Sequence, residues 1–119
     1  MSWKLDKNRP IAVQIGEILC ARIAAGEYPP LSKLPSVRTI AVEAGVNPNT
    51  VQKAIEVLVE KGVIDSVLGS GSYVKEDISP AKEMLKERIS DKTRTYLEDM
   101  KMLGMNEKET YEYIGRLIK

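Results

Sequence analysis

A chain of 119 residues with 43% hydrophobic and 29% charged residues has the composition of one soluble globular domain, or a small domain with an appendage, and argues against disorder. It holds one cysteine, Cys20, and no histidine, which excludes Ser–His triads, Cys–His dyads and zinc sites of the usual Cys/His spacing. The formal net charge is +1, with nine Lys/Arg and nine Asp/Glu in residues 1–78, so a polyanionic partner must be met by a local cluster of cations.

The first helix is expected over Ile11–Ala25, with Ile11, Ile15, Ile18 and Leu19 on one face and Gly26 as its stop. Val13, Gly16, Cys20 and Ile23 give it a second, weaker apolar stripe, the pattern of a helix that packs on two sides. Cys20 then reads as a small packing residue. Pro29 and Pro30 make Glu27–Leu34 an extended loop. A second helix follows the N-cap Ser36, buries Val37, Ile40, Ala41 and Ala44, and ends at Gly45. Asn47 caps a third helix that takes Pro48 into its first turn, where a missing N–H costs nothing. Val51, Ala54, Ile55 and Leu58 form its core face and Gly62 ends it. Val63–Val67 and Ser72–Lys75 read as two strands joined by the Gly69-Ser70-Gly71 turn.

Beyond Asp77 the pattern changes. Ser79-Pro80 supplies a cap and first turn for a long helix reaching about Leu103, with Leu85, Ile89, Tyr96, Leu97, Met100 and Leu103 along its apolar stripe and Gly104 as its stop. Asn106 and Glu109 have capping-box spacing for a last helix carrying Tyr111, Ile114, Leu117 and Ile118. Two amphipathic helices cannot bury these stripes by themselves, so they must pack on the first helix, on a second copy of the chain, or on both. The expected fold class is α+β, mostly α: a winged helix-turn-helix of three helices and a β-hairpin wing over residues 9–77, then a two-helix dimerisation arm over 78–119.

In a helix-turn-helix the second helix of the pair enters the major groove of DNA. On the third helix here, Asn49, Gln52, Lys53 and Glu56 fall within about 100° of one another, opposite the apolar face. Asn and Gln can pair bidentately with adenine, and Lys can reach guanine or phosphate. Thr50 suits a phosphate contact at the rim, while the carboxylates Glu56 and Glu60 should end the contact surface near Lys53. Lys33 and Arg38 complete a basic rim; Asn47 divides its side chain between capping and any contact with DNA. No glycine-rich nucleotide loop, catalytic constellation, metal site or cofactor is expected. No apolar run approaches the ~20 residues of a membrane span, and MSWKLDKNRP is not a signal peptide, so a cytoplasmic location is expected.

Together, Ile23 to Gly26, LPSVRTIA from Leu34, VNPNTVQKA from Val46 and GSGSYV from Gly69 resemble the GntR family of bacterial transcription regulators, and within it the short YtrA-like branch. The resemblance is dense over residues 9–75 and extends to the C-terminal pair of helices by length and pattern. It implies a homodimer bound to double-stranded operator DNA, with contacts at Arg38, Asn47, Asn49, Thr50, Gln52 and the wing glycine Gly69. The proposed DNA set is therefore Lys33, Ser36, Arg38, Asn47, Asn49, Thr50, Gln52, Lys53 and Gly69. Two departures stand out: Leu31 occupies a place where the family usually turns on glycine, and the wing reads Ser66-Val67-Leu68 where basic residues are common. Two other readings fit the residues: a winged-helix module for protein–protein contact, and a regulator sensing a small molecule between Tyr96, Met100, Tyr111 and Tyr113. The sequence identifies no effector.

Overall fold

The computed structural model describes residues 3–118. Five helices and one hairpin follow in the order α1 (Ile11–Ala24), α2 (Val37–Ala44), α3 (Pro48–Glu60), β1 (Ile64–Val67), β2 (Gly71–Val74), α4 (Ser79–Met102) and α5 (Glu107–Leu117). The arrangement is the α+β, mostly helical winged helix-turn-helix expected from the sequence, with helix ends within a residue or two of the expected ones. The chain forms two compact units divided after Leu85. Among the described residues, no helix is long and apolar enough to cross a membrane.

The helix starts follow from local chemistry. Ser36 accepts a hydrogen bond from the Thr39 amide at 3.1 Å, satisfying one of the amides that open α2. Asn106 and Glu109 form a complete capping box at α5. The start of α4 differs from expectation. Ser79 is already helical, and the residue that holds the entry is Asp77, whose carboxylate accepts the Ser79 N–H at 2.9 Å. That bond, with the Ser79 hydroxyl, draws the Asp77 carboxyl below its ordinary value by favouring the charged form.

The core of the first unit is built by Ile15, Leu19 and Ile23 of α1, Ile40 of α2, Val51, Ile55 and Leu58 of α3, and Val63, Ile64 and Val74 around the hairpin. The opening of α4 belongs to it as well: Ala81 is fully buried, and Met84 and Leu85 pack against the cluster. Cys20 lies within this core with its Sγ 3.9 Å from Met84 Sδ. Burial, with a smaller contribution from Glu17, pushes its thiol up to about 11. The thiolate is therefore scarce at neutral pH, and Cys20 serves as packing.

Two polar side chains of α1 are buried although both look like surface residues in the sequence. Gln14 accepts the Asp6 N–H and donates to the Asp6 and Arg9 carbonyls, tying the segment before α1 onto the helix. Arg22 stacks its guanidinium over Trp3, 4.2 Å from the ring centroid, and donates to the Tyr28 hydroxyl at 2.9 Å. Val13, by contrast, was expected in the second stripe of α1 and is exposed.

The segment expected as an extended loop before α2 is extended and also bonds along β2. Leu31 donates to the Val74 carbonyl, Leu34 to Ser72, and Val74 returns a bond to Ser32, so residues 31–34 run alongside β2 with Lys33 bridged to Tyr73. On its other side β2 pairs antiparallel with β1, from Ile64↔Val74 to Val67↔Gly71. The prolines hide this in the sequence, because they precede the paired residues and signal only irregular chain.

Leu31 reaches this register through a left-handed backbone, φ 69°, with its side chain 66% exposed. For a residue with a Cβ that conformation costs about 1–2 kcal/mol. Leu31→Gly should remove the strain while keeping the N–H that meets Val74, and it gives up little burial. After subtracting the extra chain entropy of glycine, about 0.5–1 kcal/mol, a stability gain of about 0–1.5 kcal/mol is expected. Urea unfolding measures it; a lower midpoint would show that Leu31 is not strained.

Candidate nucleic-acid interface

The turn between α2 and α3 is set by Gly45, which adopts φ 70° and ψ 37° and donates its N–H to the end of α2. The left-handed step reverses the chain sharply enough for α3 to start three residues later. Asn47 stays extended and accepts the Asn49 N–H at 2.7 Å, and Pro48 fills the first turn of α3. The Asn47 carbonyl oxygen is thus committed to capping, which leaves its amide N–H groups as the part that can face a ligand. Val51, Ala54, Ile55 and Leu58 hold α3 against the core, and this fixes which side chains face outward.

Asn49, Gln52, Lys53 and Glu56 are all exposed, as the helical spacing requires, and Thr50 is half-buried at the rim. Lys33, Ser36, Arg38, Asn47 and Gly69 are exposed as well. A groove of about 450 Å³ runs between α3 and the hairpin. Its lining brings together Lys33, Ser36, Gln52 and Gly69, residues from three separate parts of the chain. Arg38, Asn47, Asn49 and Thr50 lie outside that lining. Lys53, also exposed, lies outside the groove and borders a separate apolar pocket between α1 and α3, with Ala12, Val13, Gly16 and Val57. The nine residues therefore do not form one continuous patch around the groove.

The wing turn, Ser66 to Ser70, carries no cation. The groove shows what is there instead: Ser66, Ser70 and Ser72 line the hairpin side with Val67 and Leu68. Hydroxyls donate to phosphate oxygens without adding charge. The repeated serines of SVLGSGS were the signal for this lining. Leu68 at the hairpin tip is fully exposed. Among the described residues, no group of His, Cys, Asp and Glu is placed to hold a metal ion.

In the second unit the apolar stripes are largely open to solvent. Ile89 and Tyr96 of α4, Leu103 just after it, Tyr111 and Leu117 of α5, and Ile118 just after that helix are exposed. Leu97, Met100 and Ile114 are half-buried, and Thr110 is buried. Leu85, the first residue of the expected stripe, packs instead on the core of the first unit.

Comparison with known proteins agrees with this arrangement. Residues 11–74, from the start of α1 to the end of β2, match the family described as bacterial regulatory proteins, gntR family. The HTH-type transcriptional repressor YtrA of Bacillus subtilis (strain 168) is 36% identical over 93 residues, covering 71% of this chain and 72% of that protein. A GntR family transcriptional regulator from Listeria monocytogenes has a similar structure, with a TM-score of 0.75 at 30% identity, over 94% of this chain and 98% of the other. AraR(DBD), solved in complex with operator ORE1, matches with a TM-score of 0.54 at 30% identity over 62% of this chain and 93% of its own. The match from α1 through the wing, on a fold shared over 94% of this chain with a GntR family regulator, establishes that the chain belongs to the GntR family, as a short YtrA-like DNA-binding transcriptional regulator.

Proposed function

We propose that this protein is a homodimeric repressor that occupies a pseudo-palindromic operator, with α3 of each protomer in the major groove. The observation that carries the reading is the groove in which Gln52 of α3 faces the wing residue Gly69, with Lys33 and Ser36 beside it. Side chains that read bases and groups that meet the sugar–phosphate backbone need to stand this close to engage one stretch of duplex. Asn49, Thr50 and Gln52 supply base and rim contacts, Arg38 and Lys53 flank them, and Asn47 contributes its free amide N–H groups. The structure of AraR(DBD) with its operator supports the DNA partner, and the repressor YtrA supports the direction of regulation. The activity is binding, not catalysis, and a chromosomal operator places it in the cytoplasm.

The DNA-reading part lies within residues 9–77 and the dimerisation region within 78–119. Support for the second is the open apolar surface formed by Ile89, Tyr96, Leu103, Tyr111, Leu117 and Ile118, joined by the half-buried Leu97, Met100 and Ile114. A two-fold dimer presents its two reading helices to half-sites about one helical turn, or a multiple of it, apart.

The test is binding to a selected operator and to random duplex across a salt series. With Lys33, Arg38 and Lys53 engaged in each protomer, a dimer neutralises about six phosphates, and log affinity should fall with log salt at a slope near −5. Preference for the operator at every salt concentration is the expected result. Equal affinity for both duplexes would instead favour the protein–protein module.

A further inference from the structure

We propose that Lys33, which lies outside the hairpin in sequence, serves as the phosphate-binding cation of the wing, and that Gly71 is the notch that seats it. The inference deepens the DNA-binding reading and rests on it. Three observations lead here. First, the hairpin has no cation of its own among the residues lining the groove: Lys75, just after β2, is held by Asp65 of β1 at 3.0 Å, and Ser66-Val67-Leu68-Gly69-Ser70 carries no charge. Lys33 is the one charged side chain among the residues lining the groove.

Second, the backbone brings Lys33 to the wing. The bonds from Leu31 to Val74, from Leu34 to Ser72 and from Val74 to Ser32 make residues 31–34 a third strand-like edge on β2. This fixes the Lys33 Cα opposite Tyr73. Third, its side chain runs across Gly71. A methyl group at Gly71 would stand 2.9 Å from Lys33 Cε, so the flexible end of the lysine would have to shift to admit it, while Nζ at 3.7 Å stays in ordinary contact. Gly71 also adopts φ 134°, so it is a glycine for both its backbone and its lack of a Cβ. Among the described residues Lys33 makes no ion pair, which leaves its ammonium available to an anion.

An ammonium on the wing side of a groove whose other wall carries Gln52 has one evident use in a DNA reader. It neutralises a backbone phosphate beside the base edge that α3 contacts.

The experiment uses the full chain on its selected operator. Lys33→Gln should make the salt slope shallower by about two units for a dimer, one per lost contact in each protomer, with base preference retained. Lys33→Arg should keep the slope. Gly71→Ala, which displaces the stem, should reproduce the Lys33→Gln slope, and adding Gly71→Ala to Lys33→Gln should change it no further. Thermal melting of each variant separates loss of fold from loss of contact, and the exposed Lys33 substitutions test the cation even if Gly71→Ala unfolds. An unchanged slope in Lys33→Gln overturns the cation assignment, and an equal effect of Gly71→Ala in both backgrounds overturns the notch. Failure of the DNA-binding reading itself would look different: the unsubstituted protein would show no preference for operator over random duplex.

Discussion

For the proposed homodimer, Ile89→Lys combined with Leu117→Lys is expected to yield a monomer and to weaken operator binding by roughly 10²–10⁴-fold, the range lost when two linked sites become independent. Both side chains are exposed in the protomer, so neither substitution opens its core. Both sit on helices, where lysine has good propensity, and a cation near the end of α5 suits the helix dipole. In a two-fold interface each substitution acts twice. Four apolar side chains at about 1.5–3 kcal/mol each would be lost from the contact, and four ammonium groups would be forced into it. Light scattering should report the mass of one chain while the helical signal stays constant. A variant that remains dimeric would place the interface elsewhere, on the first unit.

The second large effect belongs to α3. Gln52→Ala and Asn49→Ala should each cost about 1–3 kcal/mol on the preferred site, roughly 5- to 150-fold, and relax the base preference at one position of each half-site. Gln52 is the stronger candidate because it lines the groove that also holds the wing. Lys53→Ala should weaken binding to all duplexes alike, since a phosphate contact carries no sequence information. If Gln52→Ala and Asn49→Ala retain the full sequence preference, α3 is not the helix that reads.

The helix-turn-helix was legible in the sequence because its signals are local and chemically specific. Ser36, Gly45, Asn47 and Pro48 each act within three residues of themselves, and the structure places every one of them at a helix boundary. The buried faces of α2 and α3 follow from the helical repeat alone. What the sequence concealed depends on partners far along the chain. Residues 31–34 carry no strand pattern, and their edge exists only because β2 offers the carbonyls of Ser72 and Val74 and the amide of Val74. Gln14 and Arg22 look solvated until the segment containing Trp3, Asp6 and Arg9 folds back over α1.

The candidate interface divides in the same way. The outward face of α3 could be read from angular spacing, and Asn49, Gln52 and Lys53 are exposed as that spacing requires. The grouping was not legible: Lys33, Ser36, Gln52 and Gly69 meet only when the hairpin folds against α3, while Lys53 borders a separate pocket between α1 and α3. Leu85 followed the apolar repeat of α4 into the expected dimer stripe, yet the repeat does not say which neighbour covers it. That neighbour is the core of its own first unit.

Selection of DNA from a random duplex pool tests most directly whether α3 reads bases as one of a symmetric pair. The unsubstituted protein should enrich an inverted repeat whose half-site centres lie about one helical turn, or a multiple of it, apart. The Gln52→Ala protein should enrich the same spacing with one base position in each half-site degenerate. A pool that shows no enrichment, or a single unrepeated site whose preferences are indifferent to Gln52, would contradict that role for α3.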